Sequence, residues 1–142
     1  MARIDFFNQD ISFKPLKPRK TKRWIQDVIE KEGKELSHLN YIFCSDEYLF
    51  TINQQYLNHK TLTDIITFDN SEGGGTIEGD IFISIERVRA NAEELQVDFN
   101  EEVHRVLIHG VLHLMGYGDK SPRQKSLMRK KEDAYLSLRQ KL

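Results

Sequence analysis

Apolar residues along the 142-residue chain recur at two spacings, and each spacing predicts one type of secondary structure. Short runs rich in β-branched and aromatic residues are typical of strands. Such runs fall at residues 4–7, 39–44, 64–68 and 79–84, with residues 11–13 as a candidate continuation of the first. Apolar positions that repeat every three and four residues indicate helices with one buried face. Helices are predicted at residues 19–32, after Ser45, at 85–95 and 100–115, and from Ser121 onward.

Residues that start and stop helices support these boundaries. Ser121 and Pro122 place a capping serine before a proline at the first helical position, and Gln124 can complete a capping box. Gly33 can end the first helix. Three glycines within residues 71–75 predict a turn between the last two strands, which makes them a hairpin. The order of the elements predicts an α+β fold, with a small mixed sheet of about four strands packed with about five helices. We expect a single domain over residues 1–142.

The apolar faces of the helices predict which side chains are buried. Trp24 and Ile25 would face the core from the first helix, and Cys44 would be buried within a strand. The buried face of the last helix is predicted to hold Leu127, Met128, Ala134, Tyr135 and Leu138. His104 lies five residues before His109, so it points away from the face of His109. It is therefore predicted to be a surface histidine.

Composition argues against a disordered chain and against a membrane-spanning one. Charged residues make up 30% and hydrophobic residues 39%, as expected of a globular protein. No apolar run approaches the ~18 residues that a membrane helix needs, and the N-terminus lacks the charged-then-apolar pattern of a secretion signal. A single cysteine, Cys44, excludes an internal disulfide. We therefore expect a cytoplasmic protein with no membrane partner.

Charge is distributed unevenly, although the net charge is only −1. Residues 14–23 carry six basic side chains and no acid, and residues 120–142 carry eight basic side chains against Glu132 and Asp133. Residues 79–102 reverse the balance, with seven acids against two arginines. Two basic ends are compatible with contacts to phosphates. Solvated helix faces would give the same pattern, so charge alone leaves both interpretations open.

The segment from His109 to Asp119 carries the strongest candidate chemistry. Residues four apart lie on one face of a helix with about 5–6 Å between their β-carbons, so His109 and His113 can bind one metal ion. Gly116 can end that helix, and the chain beyond it can turn back to offer Asp119 as a third ligand. Two imidazoles and a carboxylate, with one position left for water, make a reasonable catalytic zinc site.

A pair of histidines at this spacing also occurs by chance in helices that bind nothing, so a site without metal is the alternative. Zinc proteases with His-Glu-x-x-His use the glutamate as a base. This chain has Gly110 at that position, which disfavours a metalloprotease. The glycine falls on the apolar stripe of the helix, where the absence of a side chain permits close packing against a neighbour.

Three ordered blocks of the sequence resemble the bacterial YbeY-type endoribonucleases, which act as ribosomal RNA maturation factors. Residues 109–119 read His-Gly-Val-Leu-His-Leu-Met-Gly-Tyr-Gly-Asp, where the family signature is His-Gly-x-Leu-His-Leu-x-Gly-Tyr-Asp-His. Residues 63–68 and 79–84 resemble two further blocks, and Met128 and Glu132 fit the family's spacing in the last helix. The resemblance runs from about residue 53 to the C-terminus.

The resemblance implies a metal-dependent endoribonuclease that cleaves single-stranded RNA, with one zinc ion held by His109, His113 and Asp119. The implied partners are ribosomal RNA, in particular the 3′ end of the small-subunit RNA, and the small ribosomal subunit with its assembly factors. Asp119 replaces the family's third histidine. The added negative charge could shift the metal preference toward manganese or iron.

Two catalytic roles have only candidates in the sequence. Leu57 stands where the family usually carries an arginine, so another group must contact the phosphate, and Lys60 and His59 are the nearest choices. The metal-binding helix holds no glutamate that could act as the base. Asp80 is one candidate for that base, although an aspartate at the start of a strand more often caps a turn.

Supporting roles in such a site also have candidates. Glu132 could orient a histidine through the ring nitrogen that does not bind metal, or form a salt bridge with a neighbouring basic residue. Tyr117 and Tyr56 could stack on exposed bases, with helix-end packing as the alternative for Tyr117. The missing arginine and the missing base favour a second function from another class, a non-catalytic, metal-stabilised ribosome-assembly factor.

Overall fold

The computed structural model describes residues 2–57 and 63–142. The elements in chain order are β1 (Arg3–Asn8), α1 (Pro18–Lys31), β2 (Glu35–Cys44), α2 (Asp46–Leu57), β3 (Ile65–Asp69), β4 (Thr76–Ser84), α3 (Ile85–Leu95), α4 (Phe99–Leu114) and α5 (Pro122–Gln140). Within these ranges four strands form one mixed sheet and five helices pack around it, which confirms the predicted α+β class. No helix in the described parts of the chain is long and apolar enough to cross a membrane.

The sheet has the strand order β1-β2-β4-β3. β2 pairs in parallel with β1 and with β4, whereas β3 and β4 form the predicted antiparallel hairpin. The hairpin turn contains Gly73, Gly74 and Gly75, all with positive φ, a backbone conformation that other residues rarely adopt. α1 connects the parallel neighbours β1 and β2, which a tight turn could not join.

One face of the sheet holds the main core, into which α1, α4 and α5 contribute side chains. α4 packs closely against this face at Gly110, where a β-carbon would lie 2.9 Å from Ile65 Cδ1 and 3.0 Å from Ile81 Cδ1. One turn further along, Leu114 lies over Gly79, with 3.1 Å to the position of a β-carbon. The glycine in the histidine helix therefore permits the close packing that the sequence predicts.

The opposite face of the sheet contacts α2. A second, smaller apolar cluster joins α2 to this face and buries Cys44, as predicted. Side chains alternate along a strand. In β4 this turns Ile81 toward α4 and Phe82 toward the α2 cluster. Asp80 lies two residues before Phe82 and therefore shares its face.

The strands differ from the prediction in length. β2 begins at Glu35 and β4 at Thr76, ahead of the predicted starts at residues 39 and 79. The two strands pair with each other beyond their apolar runs, which a pattern of apolar residues does not reveal. The candidate strand at residues 11–13 is wrong, because this segment is a loop whose apolar side chains pack against the core.

Two residues of α5 are exposed although the sequence predicts them to be buried. Leu127 is 46% exposed and Ala134 is also exposed. The helix instead turns Met128, Glu132 and Tyr135 inward, at spacings of four and three. The pattern of apolar residues could not predict that a carboxylate, that of Glu132, lies at the centre of the buried face.

His104 is half-buried rather than on the surface. Its ring meets Trp24 edge to face, with 5.9 Å between ring centroids, because the start of α4 lies against α1. Burial lowers the pKa of His104 to about 4. The side chain is therefore neutral at pH 7.

Candidate metal centre

α4 carries the two candidate histidines near its C-terminal end. Asp98 caps the start of the helix by accepting a hydrogen bond from the backbone N–H of Glu101. His109 and His113 lie one turn apart, with 4.6 Å between ring centroids and 80° between ring planes. Their side chains are 22% and 25% exposed, so each ring has one accessible edge. The two rings therefore converge as their spacing predicts.

The chain turns back after α4 and brings Asp119 to the histidines. Gly116 takes a φ of +103°, and this conformation lets the helix end there. Asp119 Oδ2 lies 3.1 Å from His113 Nε2 and 3.4 Å from His109 Nε2. Each of the three residues offers one ligand atom, and these atoms all lie within 4.8 Å of one another.

These distances fit a tetrahedral zinc site. Bonds of roughly 2.0–2.1 Å in tetrahedral directions separate the ligand atoms by about 3.3 Å. Both nitrogen-to-oxygen separations at Asp119 are close to that value. Two imidazoles and a carboxylate leave a fourth position for water or substrate. Manganese and iron are also compatible with this mixed nitrogen and oxygen donor set.

Glu132 of α5 fixes the orientation of His109. Its Oε2 lies 2.6 Å from His109 Nδ1, and its Oε1 accepts a 2.8 Å hydrogen bond from Arg105. When Nδ1 donates its proton to this carboxylate, the lone pair on Nε2 points to the position between His113 and Asp119. Glu132, whose side chain is 7% exposed, thus makes both of the contacts that the sequence left as alternatives.

The contacts between histidines and carboxylates raise the pKa of His109 and lower the pKa of the two carboxyls. Burial opposes protonation of His109, but Glu132 and Asp119 outweigh it and raise the pKa of the imidazole. Burial opposes ionisation of Asp119, but His113 and His109 outweigh it and lower the pKa of the carboxyl. The pKa of Glu132 is lowered in the same way, against its burial, by its hydrogen bond with His109. Both carboxyls are therefore held ionised, as a ligand and its supporting group must be.

Asp64 is a residue of this region that sequence reasoning missed. It directly precedes β3, and the first residue of that strand, Ile65, packs against Gly110 of α4. Burial raises the pKa of the Asp64 carboxyl, and the nearby His109 partly opposes that rise. One feature of the sequence could have drawn attention to Asp64. It lies within residues 63–68, a segment that resembles one of the family's sequence blocks. The residue type and spacing gave no reason to assign it a role.

Side chains from three parts of the chain anchor the turn that carries Asp119. Glu32, just after α1, accepts hydrogen bonds from the Tyr117 hydroxyl at 2.5 Å and from the Lys131 ammonium at 2.9 Å. The Tyr135 hydroxyl donates to the same carboxylate. Burial opposes ionisation of Glu32, but these donors lower the pKa of its carboxyl. Tyr117 is thus bound through its hydroxyl to Glu32, and its stacking on a base stays a prediction.

Asp80 lies within β4, on the sheet face opposite to α4. Its two carboxylate oxygens accept hydrogen bonds from Asn40 at 3.0 Å and from Asn70 at 3.2 Å. The contacts described for Asp80 link it to neighbouring strands and not to either histidine. The structure therefore does not bring Asp80 together with the candidate metal ligands, and its role as a base has no support from its position.

The candidates for phosphate contact directly follow α2 in the sequence. His59 and Lys60 lie outside the described residues, as does the side chain of Tyr56. α2 ends at Leu57, where the family pattern usually has an arginine. The phosphate contacts predicted for His59 and Lys60 therefore stay predictions.

The fold and the site together define a class, a small α+β domain with two helical histidines and a carboxylate that converge as a candidate metal centre. The family model described as endoribonuclease YbeY matches residues 5–140. The chain belongs to the endoribonuclease YbeY family, which confirms the resemblance seen in its sequence.

Individual relatives match nearly the whole chain. A protein from Cytophaga hutchinsonii named endoribonuclease YbeY is 52% identical over 136 residues, which cover 96% of this chain and 95% of the relative. A protein of the same name from Flavobacterium psychrophilum is 54% identical over 132 residues, which cover 93% and 94%. The solution structure of a Thermotoga maritima protein is similar with a TM-score of 0.64 and 27% identity, over 94% of this chain and 86% of that one.

Proposed function

We propose that this protein is a metal-dependent endoribonuclease that cleaves single-stranded RNA. The observation that carries the proposal is the convergence of His109, His113 and Asp119, in a chain whose relatives are named endoribonucleases. Its substrate in the cell would be ribosomal RNA, at the 3′ end of the small-subunit RNA. The protein would act in the cytoplasm with the small ribosomal subunit and its assembly factors, in ribosome biogenesis and quality control.

Phosphodiester cleavage needs a nucleophile, stabilisation of charge on the phosphate and a proton for the leaving oxygen. A divalent cation in this site would supply positive charge that makes water more acidic and polarises a phosphoryl oxygen. In our proposal, His109, His113 and Asp119 hold that cation, and Glu132 keeps the His109 ring turned toward it.

The base is the part of this proposal with the fewest candidates among the described residues. The partly buried carboxyl of Asp64 is close enough to His109 for their charges to interact, whereas Asp80 faces the other side of the sheet. A raised pKa suits a group that must accept and release a proton near neutral pH. We therefore propose Asp64 rather than Asp80 as the group that takes a proton during cleavage.

The test combines metal analysis with a cleavage assay on a 5′-labelled single-stranded RNA. We expect about one metal ion per chain, cleavage that stops with a chelator and returns with added zinc, and loss of both in His109→Ala and His113→Ala. His38→Ala is the matched control, because His38 pairs with Asp5 on the sheet and should keep both properties. Unchanged metal content in both α4 variants would reject the ligand assignment.

The same experiment separates the two classes of function. Metal bound without turnover, together with a lower Tm in His109→Ala, would indicate the non-catalytic, metal-stabilised assembly factor. In cells that lack the protein, we expect small-subunit RNA with extended 3′ ends. Wild-type protein should restore the mature end and His113→Ala should not, and mature ends in the deleted cells would contradict the proposed substrate.

A further inference from the structure

A cleft of about 330 Å³ lies between β1 and the start of α1. β1 is the last strand on its side of the sheet, so one of its edges is not paired with another described strand. The residues that line this β1-edge cleft include Phe6, Asn8, Phe13, Lys14, Pro18 and Lys22. It lies apart from the metal centre and has no role in the chemistry above.

Two basic side chains, Lys14 and Lys22, line the cleft, and both belong to a basic stretch of the sequence. The six basic residues within positions 14–23 are Lys14, Lys17, Arg19, Lys20, Lys22 and Arg23, and no acid lies among them. None of the six forms a salt bridge with another described residue. α1 buries Thr21, Trp24 and Ile25 on its other face, which keeps the basic residues at the surface. This uncompensated charge favours a polyanion as the partner.

Aromatic rings line the same cleft. Phe6 and Phe13 are partly buried, and Lys22 Nζ lies 5.3 Å from the centroid of the Phe6 ring. Phe13 packs edge-on against Phe43 and Phe99, which holds its ring in place. Fixed rings stack on bases while neighbouring cations pair with phosphates, and this combination is typical of surfaces that bind single-stranded nucleic acid.

α1 connects the cleft to the metal centre. Pro18, its first residue, lines the cleft, and Glu32 directly after its last residue binds Tyr117 in the turn that carries Asp119. The 14 residues of α1 span about 21 Å at 1.5 Å per residue. This length matches the rise of about six stacked nucleotides at 3.4 Å each. A stretch of about six nucleotides therefore has the length of the helix that joins the two places.

We propose that the β1-edge cleft is an RNA-binding subsite that holds a single-stranded segment about six nucleotides away from the cleavage site. The proposal rests on the proposed endoribonuclease function for its choice of RNA. Binding at the cleft requires neither a metal ion nor cleavage, so the two proposals can be tested separately.

The first test measures binding of a 16-nucleotide single-stranded RNA to the full-length protein in the presence of a chelator, by fluorescence anisotropy. We expect about threefold weaker binding for Lys14→Glu and for Lys22→Glu, and about tenfold weaker binding for the double variant, because each change removes a phosphate contact. The slope of log affinity against log salt should fall by about 0.7 per contact. Lys34→Glu, with the same charge change outside both basic segments, is the control and should bind as the parent does.

A second variant tests stacking. Phe6→Leu keeps an apolar side chain but removes the ring, so we expect severalfold weaker binding of single-stranded RNA and little change for an RNA duplex. Thermal unfolding confirms that the variant is folded. Unchanged binding of single-stranded RNA would show attraction by charge alone, and an equal loss on duplex and single strand would show no preference for unstacked bases; either result would overturn the proposed subsite.

The third test uses the zinc-loaded enzyme and substrates of two lengths. With 16 nucleotides, the double variant Lys14→Glu/Lys22→Glu should raise KM severalfold and leave kcat unchanged. With four nucleotides, too short to reach from the metal centre to the cleft, it should equal the parent. RNA affinity in the double variant equal to that of the parent would overturn the inference. Absence of cleavage in every protein, with RNA binding still weakened by the double variant, would instead count only against the endoribonuclease function.

Discussion

Asp119 offers a carboxylate oxygen to the candidate metal centre where the family signature has a histidine nitrogen. Replacing it with a third imidazole should suit zinc, so we expect Asp119→His to bind zinc roughly tenfold more tightly than the parent. Asp119→Ala should bind zinc more weakly but not lose it, because water can take the place of one oxygen ligand. Competition with a chromogenic chelator measures both affinities. Weaker zinc binding by Asp119→His would contradict Asp119 as a ligand.

Glu132 should control metal affinity without touching the metal. Glu132→Gln keeps the size of the side chain but removes the charge that orients His109, so we expect roughly 10–100-fold weaker zinc binding. Asp133→Asn is the matched control, because Asp133 also pairs with Arg105, at 2.7 Å, but lies outside the contact with His109. Equal losses in the two variants would mean that the arginine, and not the orientation of His109, sets the affinity.

At the scale of elements, the turn after α4 depends on a contact with α1. Tyr117→Phe removes the hydrogen bond to Glu32 and should loosen the turn that holds Asp119, so we expect zinc affinity to fall about threefold to tenfold. Tyr135→Phe removes a hydrogen bond to the same carboxylate from outside the turn. It should lower Tm while leaving zinc affinity unchanged. A loss of affinity as large as that of Tyr117→Phe would show that the turn is not held in this way.

Elements whose signals are local could be predicted from the sequence. The capping box of α5 forms between Ser121 and Gln124 as expected, and Gly33 follows α1 with a φ of +74°. The His109–His113 pair is local in the same sense, because helix geometry alone brings residues four apart together.

Contacts between distant parts of the chain could not be predicted. Glu32 lies 85 residues from Tyr117 and 103 residues from Tyr135, so no spacing rule relates them. Strand pairing is equally non-local, and it is the pairing that brings Asn40 of β2 to Asp80 of β4, on the sheet face away from α4. The sequence therefore predicted the three residues that converge in the candidate centre, whereas most of the contacts that support them became visible only in the fold.

At the scale of the whole molecule, the packing of α4 against α1 makes folding stability depend on pH. Burial lowers the pKa of His104 from its ordinary value of 6.5 to about 4. Between those values the unfolded chain binds a proton that the folded chain does not. The free energy of unfolding should therefore fall as the pH falls from 6.5 toward 4, and the contribution of neutral His104 is complete only above pH 6.5.

His104→Phe tests this dependence. Phenylalanine keeps a ring against Trp24 but cannot bind a proton. The loss of unfolding free energy between pH 7 and pH 4.5 should therefore be smaller in the variant than in the parent, by roughly 2 kcal/mol. Urea denaturation at the two pH values measures it. The same loss in both proteins would show that His104 is not the group responsible.

The tight fit of Gly110 between Ile65 and Ile81 limits which residues can replace glycine at this position of α4. A side chain at that position would point into the strands, because its β-carbon would lie only 2.9–3.1 Å from methyl carbons of the two isoleucines. A carboxylate installed there would be driven into the hydrocarbon interior instead of toward solvent water. A single substitution toward peptide hydrolysis would therefore have to displace both isoleucines, and a proton acceptor is more easily recruited from another part of the chain.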